Sequence, residues 1–264
     1  MASQSGGTPA ADWSFARRPF WLFSHVFAAS VVALFVVLGL WQWARHNERA
    51  ALNETIGARS NPPAVAIDTA LDAPDDEIAY RYITATGTYV DDDLVRVGNR
   101  SQAGAAGEHV VAVLRLDDGR HLLVNRGFVP IAVDVTPDPV PDGVVTVQGW
   151  LQESVARGWL GATDTGEGTL VPRLDVEAVA GRLGDPDAAT VVPFWLQLEG
   201  RGAGDGGSLA SFPDPVPLPP LDGGPHLSYM GQWFIFAVLG LGFYGALLRR
   251  TARTSTRPKV PAAT

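Results

Sequence analysis

Two long runs without a single Asp, Glu, Lys or Arg constrain this chain more than any other feature. The first, PFWLFSHVFAASVVALFVVLGLWQWA, extends from Pro19 to Ala44, and the second from Gly223 to Leu248; each contains 26 uncharged residues. A helix needs about 20 predominantly apolar residues to cross the hydrocarbon core of a bilayer. The sequence therefore predicts two transmembrane helices, at 19–44 and 225–248. The first run exceeds the usual apolar core of a secretory signal, roughly 7 to 15 residues, and no small-residue cleavage site follows it. It is expected to remain as an anchor.

Basic residues beside each run set the expected orientation. Arg249, Arg250, Arg253, Arg257 and Lys259 follow the second run and no base lies close before it, so its end is expected in the cytoplasm. The first run is balanced, with Arg17 and Arg18 before it and Arg45 and Arg49 after it. Two spans put both termini on one side. Segments 1–18 and 249–264 then read as cytoplasmic tails, and 45–224 as one extracytoplasmic domain. The stretch from His46 to Pro225 carries 27 of the 28 acidic residues and 12 of the 20 basic ones, a net of −15. Such a domain is not a nucleic-acid binder. The chain has no cysteine, which excludes disulfides, thiolate metal sites and thiol catalysis.

The middle domain reads as β-rich. Tyr80–Val90 is dense in aromatic and β-branched residues, and HVVAVLRL and HLLVNRGFV flank Asp117-Asp118-Gly119-Arg120. Asp118-Gly119 predicts a tight hairpin with a two-residue type I′ turn, which requires positive φ at both positions. Further strands are expected at 144–151 and 191–198, and a short helix beginning with Asp175 as its N-cap. The expected fold class is α+β: two transmembrane helices flanking an extracytoplasmic antiparallel sheet or partly closed barrel. The Gly- and Pro-rich residues 202–224 read as a tether into the second helix.

No G-x-S-x-G, H-E-x-x-H, phosphate-binding loop or dinucleotide fingerprint occurs. Acidic runs such as Asp91-Asp92-Asp93 and Asp75-Asp76-Glu77 read as solvated loops. His109 and His121 stand on either side of the predicted hairpin, either as packing residues or as a pair short of the further ligand zinc needs. His25 is expected either to pack between helices or to lie at the membrane interface, and His46 to lie at the outer interface. A membrane-anchored hydrolase would need an acid or nucleophile pair that the sequence does not offer.

What remains is a polar and aromatic cluster at the outer end of each helix. At roughly 100° per residue, Leu38, Trp41, Gln42 and Arg45 share a face of the first helix, and His226, Tyr229, Met230 and Trp233 a face of the second. An aromatic belt at the membrane surface accounts for Trp41, Trp43, Tyr229 and Trp233. It accounts less well for Gln42, Gln232 and a histidine directly after Pro225. A neutral imidazole there is able to ligate a metal, which leaves belt and ligand site as the two readings.

LGLWQWAR (Leu38 to Arg45) resembles the L-G-x-W-Q-x-x-R signature of the surfeit locus protein 1 family of cytochrome c oxidase assembly factors. VNRGFVP (Val124 to Pro130) is similar to that family's V-N-R-G-W-V-P, with Phe128 at the usual tryptophan. PHLSYMGQWFIFA (Pro225 to Ala237) is similar to its P-H-L-x-Y-x-x-Q-W-F-x-F-A. The resemblance implies a binding protein without catalysis of its own, which holds haem a on its way to the catalytic subunit of cytochrome c oxidase. His226 is the implied iron ligand. Tyr229, Gln232, Trp233, Trp41, Gln42 and Arg45 are expected to border the cofactor, with Arg45 facing a propionate. Implied partners are that catalytic subunit, a haem a synthase and membrane lipid; the implied location is a bacterial plasma membrane. A lasting accessory subunit of the oxidase or a supercomplex, free of haem, is the other reading. Asn125 and Arg126 are expected either to support the fold or to contact a partner.

Overall fold

The computed structural model of the protein describes residues 12–90, 95–132, 137–156, 170–180, 191–200 and 212–255. The acidic run at 91–93, residues 202–211 of the expected tether, and Arg257 and Lys259 lie outside the described residues. In chain order the elements are α1 (Pro19–Ser60), β1 (Val65–Ala66), α2 (Ile67–Leu71), α3 (Asp75–Ile78), β2 (Tyr82–Tyr89), β3 (Val95–Gln102), β4 (Ala105–Leu116), β5 (His121–Pro130), β6 (Val144–Glu153), β7 (Leu170–Val171), α4 (Val176–Ala180), β8 (Val191–Leu198) and α5 (His226–Ser255). They divide into two units, residues 1–53 with 222–264, and residues 54–221.

The first unit is built on α1 and α5, both long and apolar enough to cross a membrane. Within their most apolar windows only 6% of the residues are buried. A core helix of a soluble domain would be mostly buried, whereas these helices turn Phe20, Phe23, Phe27, Val37, Leu40, Val238, Leu239 and Phe243 outward. Lipid is the solvent that tolerates such a surface. The helices meet along a narrow seam. Trp233 stacks on Phe35 at 5.8 Å between ring centroids, and Phe236 sits 5.9 Å from the same ring. Gly39 passes beneath Phe234, whose ring stands 3.0 Å from where a Cβ would be. Small residues at such crossings let two helices approach closely. Farther along, Tyr244 Oη donates to His25 Nδ1 at 2.6 Å, and His25 Nε2 donates to the Ala16 carbonyl at 3.2 Å. His25 is thus a packing residue, the first of the two roles that its place in the first helix allowed.

The second unit is a closed five-stranded barrel with extra strands. Around the ring, β2 pairs with β6, β6 with β8, β8 with β5, β5 with β4, and β4 returns to β2. Four of these pairings are antiparallel and β5–β8 is parallel, which makes it a Greek-key barrel of the OB type. Gly87 and Gly149 allow the closure. Gly87 pairs with both Val145 and Leu116, and a Cβ on it would lie 2.2 Å from the Arg115 carbonyl oxygen. Gly149 pairs with both Ile83 and Leu198, where the same distance, to the Gln197 oxygen, would be 2.1 Å. Only a residue without a side chain fits where one strand changes partners.

Alternate residues of β2 point inward, Ile83, Ala85 and Tyr89 among them, to meet Leu114, Leu122, Val124, Val147 and Leu196. Ile67 and Ala70 of α2 and Ile78 of α3 complete this core. A second cluster lies on the other face of β4 and β5, where Val111, Val113 and Leu123 pack on Val95 and Val97 of β3 and on Val176 and Val179 of α4. Strand β5 is therefore covered on both faces, and its residues from His121 to Val129 are all buried.

The β4–β5 hairpin lies at the predicted place, but its turn differs from the expected type I′. Gly119 N–H donates to the Leu116 carbonyl at 3.0 Å, and Leu116 N–H to the Arg120 carbonyl at 2.8 Å. Among the loop residues only Gly119 has positive φ, at 89°. This is a type I turn followed by a glycine bulge, in which Asp118 keeps an ordinary backbone. Its carboxylate instead accepts from the Arg120 backbone N–H at 3.0 Å, which holds its pKa below the usual carboxylate value.

Candidate functional site at the helix ends

Pro225 supplies the carbonyl that accepts the first helical bond of α5, from Tyr229 N–H at 3.2 Å, and His226 is the first helical residue. Before it, Gly224 turns the chain with φ of 61°, and its N–H donates to Asp222 Oδ1 at 3.2 Å. The turn is anchored on α1. Asn53 Nδ2 donates to the Asp222 carbonyl at 2.8 Å, and the Arg49 guanidinium lies 3.6 Å from the Asp222 carboxylate.

These anchors bring His226 against Gln42, with Nδ1 and Oε1 3.0 Å apart. A carbonyl oxygen only accepts, so this pairing places the imidazole proton on Nδ1 and the lone pair on Nε2. Trp233 continues the same seam one to two turns deeper, against Phe35. Of the residues expected to gather here, Gln42, His226 and Trp233 lie on the seam and the others do not. Trp41 is 56% exposed and Tyr229 47%, both turned outward. Gln232 is exposed, and Arg45 bonds Glu48 on its own helix at 2.8 Å.

The predicted face of α1 was rotated from the real one. Phe35, Gly39, Gln42, His46, Arg49 and Asn53 follow a spacing of three and four, and these positions, with His25 and Val32 nearer the other end of α1, meet α5 or the turn before it. His46 was missed as a member. The signal was available in the three-four repeat running through Gln42 beyond the uncharged run. A cavity of about 430 Å³ on this helix pair, lined by Phe23, Phe27, Val31, Phe243 and Tyr244 among others, belongs to the opposite end. At 1.5 Å per residue, Val31 alone is about 16 Å along α1 from Gln42.

The VNRGFVP motif lies in β5, and its polar residues are interior. Asn125 is 2% and Arg126 1% exposed. The pairing of β4 with β5 slips between Val110 and Val111, leaving Arg126 as the extra residue of a bulge. Its guanidinium donates to the carbonyls of Asp138 at 2.8 Å and Pro139 at 3.1 Å and lies 6.0 Å from the centre of the Tyr89 ring. Asn125 Nδ2 donates to His109 Nδ1 at 3.1 Å while its Oδ1 accepts from Gly127 N–H at 3.2 Å. Burial, with Arg100 nearby, pushes the His109 pKa down to about 4. His109 stands opposite Phe128 and His121 opposite Arg115, at the two ends of the ladder, so the two histidines do not pair. Among the described residues no three His, Cys, Asp or Glu side chains gather round a metal position. Asn125 and Arg126 support the fold, the first of the two roles expected.

From Phe212 the chain is strapped to the barrel. Phe128 and Asp214 exchange two backbone hydrogen bonds of 2.7 Å, and Gln197 Nε2 donates to the Val216 carbonyl at 2.7 Å.

Comparison with known proteins adds a relationship to this geometry. A model of the SURF1 family matches residues 29–238, which include Gln42, Asn125, Arg126 and His226. An uncharacterized SURF1-like protein of Mycobacterium bovis is 30% identical over 244 residues, 88% of this chain and 85% of that one. One from Mycobacterium tuberculosis matches equally. A SURF1-like protein of Monosiga brevicollis is 33% identical over 108 residues, 36% of this chain and 40% of the relative.

Proposed function

The chain belongs to the SURF1 family, known as cytochrome oxidase assembly factors, and from that premise we propose that it binds haem a at the outer end of its helix pair and assists delivery to the catalytic subunit of cytochrome c oxidase. The observation that carries this reading is the His226–Gln42 pair. Metal-ligating histidines usually donate their second ring N–H to an acceptor that fixes the tautomer and the plane of the ring. Gln42 does this for His226, and leaves Nε2 as the donor atom for iron.

The residues fit such a group in other respects. Bound there, haem a would supply an iron centre and an apolar macrocycle. Trp233 and Phe35, stacked on each other deeper in the seam, give it an apolar aromatic lining. Arg45 is exposed and tied to Glu48 alone among its described partners, so exchanging Glu48 for a propionate costs little. In this reading the protein has no catalysis of its own. Both termini lie in the cytoplasm of a bacterial plasma membrane, and a haem a synthase is the donor partner.

A second reading draws on Trp41 and Tyr229. Their outward exposure suits an aromatic belt or a surface that docks on the oxidase, as in a haem-free accessory subunit. Purification after co-expression with the haem a synthesis enzymes separates the two. Wild type is expected to carry haem a in its absorption spectrum and His226→Ala to lack it at equal membrane levels. A colourless wild type that stays with mature oxidase at a fixed ratio favours the accessory subunit.

A further inference from the structure

We propose that the arginine-bearing end of α5 is a binding site for an anionic phospholipid, with the phosphate held by Arg249, Arg250 and Arg253 and the start of an acyl chain laid against Gly242, Gly245 and Ala246. The site lies at the other end of α5 from His226 and does not depend on the haem-binding reading. A cavity of about 660 Å³ runs along this length of the helix, from Leu241 to Thr254, and the three arginines line it. That volume is within the roughly 300 to 1,000 Å³ usual for small-molecule sites.

Gly242, Ala246, Arg249 and Arg253 follow a spacing of four, three and four and so share one face of α5, with Gly245 and Arg250 beside them. The chemistry of the cavity changes along that face. Its lining from Leu241 to Ala246 has no polar side chain, whereas its lining from Arg249 onward carries three guanidinium groups. A Cβ on Gly242 or on Gly245 would meet nothing within 4 Å, so no described residue covers the apolar half. At 1.5 Å per residue, Arg249 is about 6 Å along the axis from Gly245, which puts charge and apolar surface within reach of one lipid.

The positive charge is not answered within the chain. All three arginines are exposed, and none has an ion-pair partner among the described residues. α5 contains no Asp or Glu. Asp12 comes close through its backbone, whose N–H reaches the Ala252 carbonyl at 3.3 Å, but its carboxylate accepts from Ser14 N–H at 2.9 Å and from Ser14 Oγ at 3.1 Å. The dipole at the end of the helix supplies only about half a negative charge against three cations. An anion from outside the chain completes the site. A small inorganic anion would leave the apolar half of the cavity open to lipid. A second copy of this chain, parallel to the first in the same membrane, would bring arginine against arginine. Basic residues beside a span attract anionic lipid in general, and a phosphate joined to an acyl chain matches both halves of this cavity.

The test uses delipidated full-length protein in detergent, with phosphatidylglycerol as the probe, phosphatidylcholine and inorganic phosphate as comparisons, and native mass spectrometry to count what stays bound. Wild type is expected to retain phosphatidylglycerol at concentrations where phosphatidylcholine is lost. Arg249→Gln, Arg250→Gln and Arg253→Gln are each expected to weaken that binding about fivefold. Gly245→Leu keeps every charge and fills the apolar half, and is expected to weaken it by a similar factor; it serves should an arginine variant fail to insert. Binding by Gly245→Leu equal to wild type would reduce the effect to unspecific charge attraction and overturn the site. Equal retention of phosphatidylcholine, or displacement of the lipid by an equal concentration of inorganic phosphate, overturns it as well. A dimer that forms without lipid and is broken by Gly245→Leu would assign the face to a second copy instead.

Discussion

Two histidine–amide pairs among the described contacts, one in the barrel and one on the helix pair, are wired in opposite senses. In the barrel Asn125 donates its N–H to His109 Nδ1, and Gly127 N–H fixes the amide orientation through Oδ1. That bond uses the lone pair of Nδ1, and the ring lies edge-on to Phe128 at 6.4 Å. On the helix pair Gln42 presents its carbonyl oxygen, takes the Nδ1 proton of His226 and leaves a lone pair on Nε2. The residue types are nearly the same. The orientation of one amide separates a histidine committed to the fold from one available to a ligand.

The sharpest way to break this comparison is to remove each imidazole and measure bound haem a per folded molecule. His226→Ala is expected to lose it, whereas His109→Ala is expected to keep it. Haem loss from His109→Ala, with the barrel still folded, would move the site into the wrong domain. The amides should divide in the same way. Gln42→Leu is expected to weaken haem affinity about 10- to 100-fold, as removal of a supporting partner usually does, without lowering the melting temperature of the barrel. Asn125→Leu is expected to cost about 1 to 3 kcal/mol of barrel stability, because it strands His109 and the Gly127 N–H in the interior. Urea unfolding monitored by tryptophan fluorescence measures it.

A smaller effect is expected from pH. The His109 pKa falls from 6.5 to about 4 in the folded protein, first through burial and then through Arg100. The fold therefore favours the neutral ring. Its contribution is fully present above pH 6.5, declines as the unfolded chain takes up the proton below that value, and is gone by about pH 4. The loss should be on the order of 2 kcal/mol, allowing for the part of the ring that water reaches. His109→Gln should flatten the slope between pH 6.5 and 4; an unchanged slope would show that His109 is not what titrates. The smallest effect belongs to Arg45→Ala. Its bond to Glu48 is an exposed pair worth about 0.2 to 1 kcal/mol, and haem binding should fall only by the loss of one propionate contact.

Much of this was legible in sequence where the signal is local. Strand β8 occupies the residues that β-branched and aromatic density marked, Val191–Leu198, and β5 begins at His121 as expected. The hairpin position followed from Asp-Gly, but the turn type did not, because a three-residue loop with one glycine at positive φ carries the same dipeptide. On the helix pair Gln42 and His226 were visible as polar groups in runs that otherwise suit lipid. Trp41 and Arg45 were grouped with them because a 100° wheel shows which residues share a side, not which side the partner helix takes. Gly39 beneath Phe234 decides that, and it turns Trp41 outward and His46 inward.

By itself the sequence determined the two apolar helices, the five strands that form the ring and the family motifs, because each is written in neighbouring residues through composition, period two or period 3.6. Only the tertiary structure decided that the strands close into a ring through a parallel β5–β8 pairing, since that contact joins residues about seventy apart in the chain. It alone decided that Asn125 and Arg126 face the interior, because a bulge sets their direction. It also decided which nitrogen of His226 is left free, since the amide that holds the other nitrogen stands 184 residues earlier.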